Sequence, residues 1–460
     1  MADSKSTNTI TKERVDELAA KNAEPAWLKE ERLSAWEAYL KAPTPCARDE
    51  NWRRTEIDAL DLSRLSTVDF AKEIGKQAPS PPRLERMLKA IGKEVPHIYS
   101  SPEGAFLSGP AQALKEQNVV LSTISTALEK HPQLIKPFLT AKGLKEKSFG
   151  EDISADKFQL MNRSLFNCGV FLHVPADVSL LLPVVSLLTV GEEDQFAAFP
   201  RVVVVVGERS KVSFVNAIAS SRSAKGKSKN NAPLSLVDTA TEVYIGKNAQ
   251  LTYIDLQDFN ANVFAVSRTY NEVQQDGNLY SLTVGLGGGQ LKSDIHTTLS
   301  ARGASSDTYG IVLGAGHEHF SFNTIQDHIA PDTRSTINFR VALKESASSV
   351  YLGTIRVAKE AQKTDSYQSN RNLLLGQEAR ADSIPKLEIL ADDVKCSHGA
   401  TVGPADREQI FYLMSRGLSA LEAEELVVSG FFRQIIESCP QEGIRAWIDE
   451  LIIDKIHGTP

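Results

Sequence analysis

Cys396 and His398 stand two residues apart in the stretch "ADDVKCSHGATVG", Ala391–Gly403, of a chain that has four cysteines. On an extended strand residues i and i+2 share a face. A thiolate is a soft ligand and an imidazole a borderline one, so the pair suits iron. Two donors do not close a site, and a partner chain would have to supply the rest. The competing reading is a buried structural cysteine beside a histidine that hydrogen-bonds a turn. Cys46, Cys168 and Cys439 are scattered and form no C-x-x-C pair, which excludes a self-contained zinc site and a disulfide framework. Cys168 has an apolar context and reads as core; Cys46 reads as exposed.

Other residues compete for attention. In "HEHF" His317 and His319 are expected on one strand face with Glu318 opposite, without a third ligand nearby in sequence. His328, in "QDHIAP", reads as an internal polar residue. Asp365, Arg371, Asp392 and Asp393 could form an acid/base cluster, although carboxylates ahead of a turn more often satisfy backbone amides. "GLGGGQLKSD" lacks the lysine spacing of a phosphate-binding loop, so nucleotide chemistry is expected to belong to a partner.

The elements that must position these residues fall into three regions. Helical spacing marks Val15, Leu18 and Ala19, then Trp27, Leu28, Leu33, Trp36, Tyr39 and Leu40, within an N-terminal helical and irregular region over 1–150. Over 151–403 short runs rich in Val, Ile, Thr, Tyr and Ser alternate with turns centred near Gly207, Gly246, Gly277, Gly303, Gly314, Glu345 and Gly376. A sandwich and a solenoid both fit such an array; coils whose corners vary in length favour the solenoid. From 404 to 460 helices return, with Ser419 and Glu422 spaced as a capping box. The fold class is therefore mainly β, a β-solenoid flanked by helical regions.

Composition narrows the function. The chain has 460 residues, 42% of them hydrophobic and 24% charged, and a formal net charge of -7. That balance suits a globular protein and argues against nucleic acid as a partner. The N-terminal "MADSKSTNTITKERVDELAAK" carries no apolar signal region, and the apolar run Val178–Val190 is short and interrupted by Pro183. A cytoplasmic chain with no membrane partner is expected.

The stretch from Thr364 to Leu418, with "RDENWRRT", "FNCGVFLHVPADV" and "QDHIAPDTRSTINFRVAL", resembles the SufB/SufD family of iron-sulfur cluster assembly scaffolds. Where the SufB branch carries a cysteine this chain has Asn370 in "NRNLLLG", so the resemblance is to the SufD branch. The resemblance implies a right-handed parallel β-helix and a non-catalytic subunit of a SufBCD complex. It further implies pairing with a SufB-like subunit through the β-helix, or a homodimer when the chain is isolated. A SufC-like ATPase would dock on the C-terminal helices, where Phe411, Met414, Leu426, Val427 and Phe431 are the candidate contacts. The implied cargo is a transient iron-sulfur cluster shared with the partner, held by His398, the candidate metal ligand, with Cys396. A SufB-like scaffold that binds cluster unaided and a β-helix carbohydrate-active enzyme are the alternatives. Removing everything from Asp406 onward is expected to abolish ATPase docking and leave the β region folded.

Overall fold

The computed structural model describes residues 10–70, 82–109, 111–140, 156–191, 195–220 and 234–458. Ahead of the β region lie α1 (Lys12–Lys21), α2 (Ala26–Lys41), α3 (Pro82–Ile91), α4 (Ala111–Glu116), α5 (Ile124–Lys130), α6 (Pro132–Leu139) and α7 (Lys157–Leu165). The same stretch holds four short strands, β1 (Ser66–Thr67), β2 (His97–Ser101), β3 (Gly104–Ser108) and β4 (Val120–Thr123). The periodic apolar residues explain the first two helices. Thr11 caps α1 through the Arg14 amide and Val15, Leu18 and Ala19 are buried, while α2 buries Leu28, Trp36 and Tyr39. Leu40, in the last turn of α2, points to solvent instead.

The β region opens with β5 (Cys168–Val174), β6 (Val184–Val190), β7 (Phe196–Ala198), β8 (Pro200–Val206), β9 (Lys211–Ser220) and β10 (Ser235–Ile245). It continues through β11 (Gln250–Asp258), β12 (Val263–Val273), β13 (Asn278–Gly285), β14 (Gln290–Leu299), β15 (Ser305–Gly314) and β16 (His319–His328). It ends with β17 (Arg334–Leu343), β18 (Ser348–Val357), β19 (Asp365–Leu374), β20 (Arg380–Ile389) and β21 (Lys395–Pro404). From β8 onward each strand pairs in parallel with the strand two places along. From β8 onward the even-numbered strands thus build one sheet, which β5 and β4 extend in the order β20-β18-β16-β14-β12-β10-β8-β5-β4, and the odd-numbered strands from β9 build the other, extended by β6, β2 and β3 in the order β21-β19-β17-β15-β13-β11-β9-β6-β2-β3. This is a parallel β-solenoid. A sandwich is excluded, because its sheets would be antiparallel.

Register keeps the same side of each strand turned inward through the coils. Leu299 lies opposite His328, His328 opposite Val357 and Val357 opposite Ile389, so one set of alternate residues always points inward. The interior holds apolar stacks such as Phe320, Phe322, Phe339, Tyr351 and Ile355. Between them run amides and hydroxyls that satisfy one another, including Gln257 to Ser267 and Asn271 to Thr297, each 3.0 Å. At the corners, left-handed backbone falls on Arg209, Asn248, Asp276, Gly303 and Glu345. Gly207 therefore serves close approach rather than handedness: a Cβ there would lie 2.5 Å from the Ala176 nitrogen.

Each sheet carries helices on its outer face. Over the even-numbered sheet lie the N-terminal helices, where Trp52 and Phe158 stack at 5.2 Å above Phe264. Buried ion pairs lie on the same face: Arg201 with Glu242, and Arg268 with Asp238 at 3.1 Å and with Asp156 at 2.5 Å. Over the odd-numbered sheet lie α3 and the C-terminal helices α9 (Ala420–Ser438) and α10 (Glu442–His457), which α8 (Arg407–Ser415) precedes in the chain. The Ser419–Glu422 capping box is present at the start of α9. No helix among the described residues is long and apolar enough to cross a membrane.

Candidate functional site

The two ends of the solenoid differ. At its beginning the antiparallel strands β3 and β4 close the sheets, whereas at its end β20 and β21 are edges, each ten residues long with no strand beyond among the described residues. Long bare edges are templates for pairing unless something blunts them. The amides of Lys395 and Ala405 bond back to Thr364 and Leu374, so the alternate residues Cys396, His398, Ala400 and Val402 turn their N–H and C=O outward. On β20 the amides of Arg380 and Leu390 bond back to Ala347 and Val357, which leaves Ala381, Ser383, Pro385, Leu387 and Ile389 at the free edge. Pro385 removes the middle donor of that edge, a placement proline tolerates only there. Of the two edges, β21 is the better template.

Cys396 and His398 lie on β21 in register with Ser366 and Gln368 of β19. Both of those are buried, so Cys396 and His398 belong to the inward set of a coil on which no described strand stacks further. Cys396 is half-buried and packs against the core; His398 is exposed. Burial raises the Cys396 thiol above its ordinary value and Asp365 adds to the rise, so at neutral pH the sulfur keeps its proton until a cation displaces it. Beneath His398, Gln368 donates to the Gly353 carbonyl at 3.3 Å. Gly353 makes room for it, since a Cβ there would come within 2.2 Å of the Gln368 side chain. Asn370 is buried in the next inward position of β19, opposite Ala400, and receives a 2.7 Å hydrogen bond from Asn372. Among the described residues no group of three or more His, Cys, Asp or Glu could hold a metal. The terminal strand β21 thus carries one thiol and one imidazole on its inward side.

The other candidates separate from this site. His317 lies in a turn rather than on a strand, so it and His319 do not share a strand face, contrary to expectation; the turn preceding β16 takes up both His317 and Glu318. Glu318 accepts from Lys455 at 2.7 Å and ties α10 to that corner. His319 bonds Ser348 at 2.8 Å and burial pushes its pKa down to about 4. His328 is wholly buried inside the solenoid, between Thr333 at 2.8 Å and Ser335 at 2.9 Å, and burial lowers it to about 4. Asp365 and Arg371 lie six residues apart on one strand, roughly 20 Å, too far for shared acid/base work. The turn at Asp392 and Asp393 is held through the Asp393 backbone: its amide donates to Oε1 of Gln362 and its carbonyl accepts from the Lys363 amide. Cys168 and Cys439 are buried and Cys46 is exposed.

At the other end of the sequence's candidates, Phe411, Met414 and Leu426 are exposed, at 72%, 42% and 53%. No residue of α8 is buried. Val427 is half-buried, and so is Phe431, which packs against the cluster under α9. Sequence reasoning missed the strap formed by the "RDENWRRT" connector. Glu50 pairs with Lys386 at 2.6 Å and Arg54 with Asp382 at 3.0 Å, so the N-terminal region reaches the last coil. The mixed charges of that connector were its only signal.

Residues 188–431 match the family model described as SUF system FeS cluster assembly, SufBD core domain. The iron-sulfur cluster assembly protein SufD of Bacillus subtilis (strain 168) is 28% identical over 97% of this chain and 98% of that protein. An iron-sulfur cluster assembly SufBD family protein of Staphylococcus epidermidis is 26% identical over 95% of this chain and 91% of its own length. SufB of the same Bacillus strain is 25% identical over the same shares. The matched span covers more than half of the chain and runs from β6 through the open edge strands into α9, so the chain belongs to the SufBD family of iron-sulfur cluster assembly proteins.

Proposed function

We propose that this chain is a SufD-type subunit, cytoplasmic and without catalytic activity of its own, in a SufBCD-like complex. A SufB-like partner adds strands to the open end, beginning on β21, and its ligands join Cys396 and His398 around a nascent iron-sulfur cluster. A SufC-like ATPase docks on α8 and the first half of α9 through Phe411, Met414 and Leu426, with Val427 and Phe431 behind them. The isolated chain would cover the same edges by forming a homodimer.

The observation that carries this reading is the inward placement of one thiol and one imidazole on the terminal strand of the solenoid, on which no described strand stacks further. Such edges favour pairing in solution because each free N–H and C=O gains a partner as water is excluded. Replacing His398 with Ala, in the complex reconstituted with SufB-like and SufC-like subunits, should leave assembly intact and cut cluster yield by about tenfold, the loss expected of a ligand or its immediate support. Unchanged yield would refute the assignment. The alternative of an unaided scaffold rests on position 370, which in this chain is a neutral amide and no iron ligand.

A further inference from the structure

We infer that Arg340 is the positioning residue through which displacement of α9 reaches the strand bearing Cys396 and His398; this rests on the docking of a nucleotide-hydrolysing partner at α8 and α9 proposed above. Arg340 projects from the outer face of β17 and is 6% exposed. Its guanidinium donates from one Nη to the Phe431 carbonyl and from the other to Oε1 of Gln434, and it lies 5.4 Å from the centre of the Phe431 ring. A planar fork satisfied at two points on one helix turn resists both sliding and rolling of that helix, which a flexible ammonium does not. Phe431 and Gln434 follow directly on the half of α9 that carries the exposed Leu426.

From Arg340 the path to the open end is one strand wide. Arg340 is in register with Arg371 of β19, and Arg371 with Thr401 of β21, between Ala400 and Val402. Parallel strands bonded along ten residues move together, so a shift of β17 at Arg340 changes how β21 presents its free edge. Other ties hold the helices elsewhere. Lys344 pairs with Glu424 at 2.6 Å and Lys455 with Glu318 at 2.7 Å, so losing Arg340 leaves the helices attached. Its loss removes the hydrogen bonds from α9 to the middle of β17.

The test uses the whole complex with the SufB-like and SufC-like subunits and reads the rate of Cys396 alkylation with and without ATP. In the unaltered complex ATP should change that rate about fivefold or more, the usual scale of site-to-site coupling. Arg340→Met should retain the ATPase in pull-down yet reduce the ATP response to less than about twofold, and Arg340→Lys, which keeps charge and a donor, should restore part of it. A full ATP response in Arg340→Met would overturn the inference, as would its absence in the unaltered complex with ATPase bound. Failure of the ATPase to bind the unaltered chain would instead sink the docking proposal and this inference with it. Thermal melting of both variants separates misfolding from lost coupling.

Discussion

His328 shows what a histidine does when the fold, rather than chemistry, claims it. Both ring nitrogens are used, by Thr333 and Ser335, and those hydroxyls continue to Thr364 at 3.2 Å and Ser366 at 2.6 Å, the residue opposite Cys396. The ring is neutral in the folded state, with its pKa near 4, against about 6.5 in the unfolded chain. Between those values the unfolded state binds the proton and the folded state does not, so stability falls as pH drops from about 6.5 toward 4. Replacing His328 with Gln keeps a donor and an acceptor but cannot titrate. The melting temperature of the unaltered chain should therefore fall more steeply over that pH window than that of the variant. Parallel curves would show that His328 is not the group responsible. The difference between the two proteins is what matters, because buried carboxyls such as Asp255, raised by burial, push the balance the opposite way.

At the scale of the element, the last coil depends on small residues beneath it. Gly353 of β18 gives Gln368 the space to lie across the interior, and Gln368 forms the floor under His398. Gly353→Ala forces a methyl into an occupied volume, which costs about 1–3 kcal/mol in a packed interior. The predicted outcome is a lower melting temperature together with faster hydrogen exchange in β19 and β21; a shift confined to β18 would show that Gln368 relaxes without disturbing its neighbours. Elements of this kind differ in how legible they were. The β-solenoid was visible in runs such as "RVVVVVGERSKVSFVNAIA", because strand spacing and turn residues are local properties. The capping box was visible for the same reason. Cys396 and His398 were legible as a pair on one face. What was hidden is register: nothing local reveals that Gln368 lies under His398 or that Pro385 interrupts the second edge, since both depend on which residues oppose one another across coils.

Over the whole molecule the C-terminal helices that carry the proposed docking surface also cover the odd-numbered sheet, and this alters what truncation does. Val428, Phe432, Ile435, Ile436, Trp447 and Ile448 are buried in the same cluster as Val215, Ile254, Leu282 and Ile311 of the odd-numbered sheet. Deleting from Asp406 onward would uncover that apolar face, at about 25 cal/mol for each Å² returned to water, so the β region cannot be expected to stay soluble and folded alone. The expectation drawn from sequence, that truncation would separate docking from folding, fails because α9 and α10 are part of the core. Helix α8 is the separable piece: it buries nothing and is joined to α9 through Gly417, whose left-handed backbone leaves its surroundings open. Phe411→Asp combined with Met414→Asp should therefore keep the melting temperature within about 2 °C of the unaltered chain, as surface substitutions generally do. The same pair should abolish capture of a SufC-like ATPase, because two exposed apolar anchors become charges that docking would have to desolvate. Undiminished capture by the double variant would move the docking surface away from α8, whereas a large fall in melting temperature would mean that α8 packs more tightly than its exposure indicates.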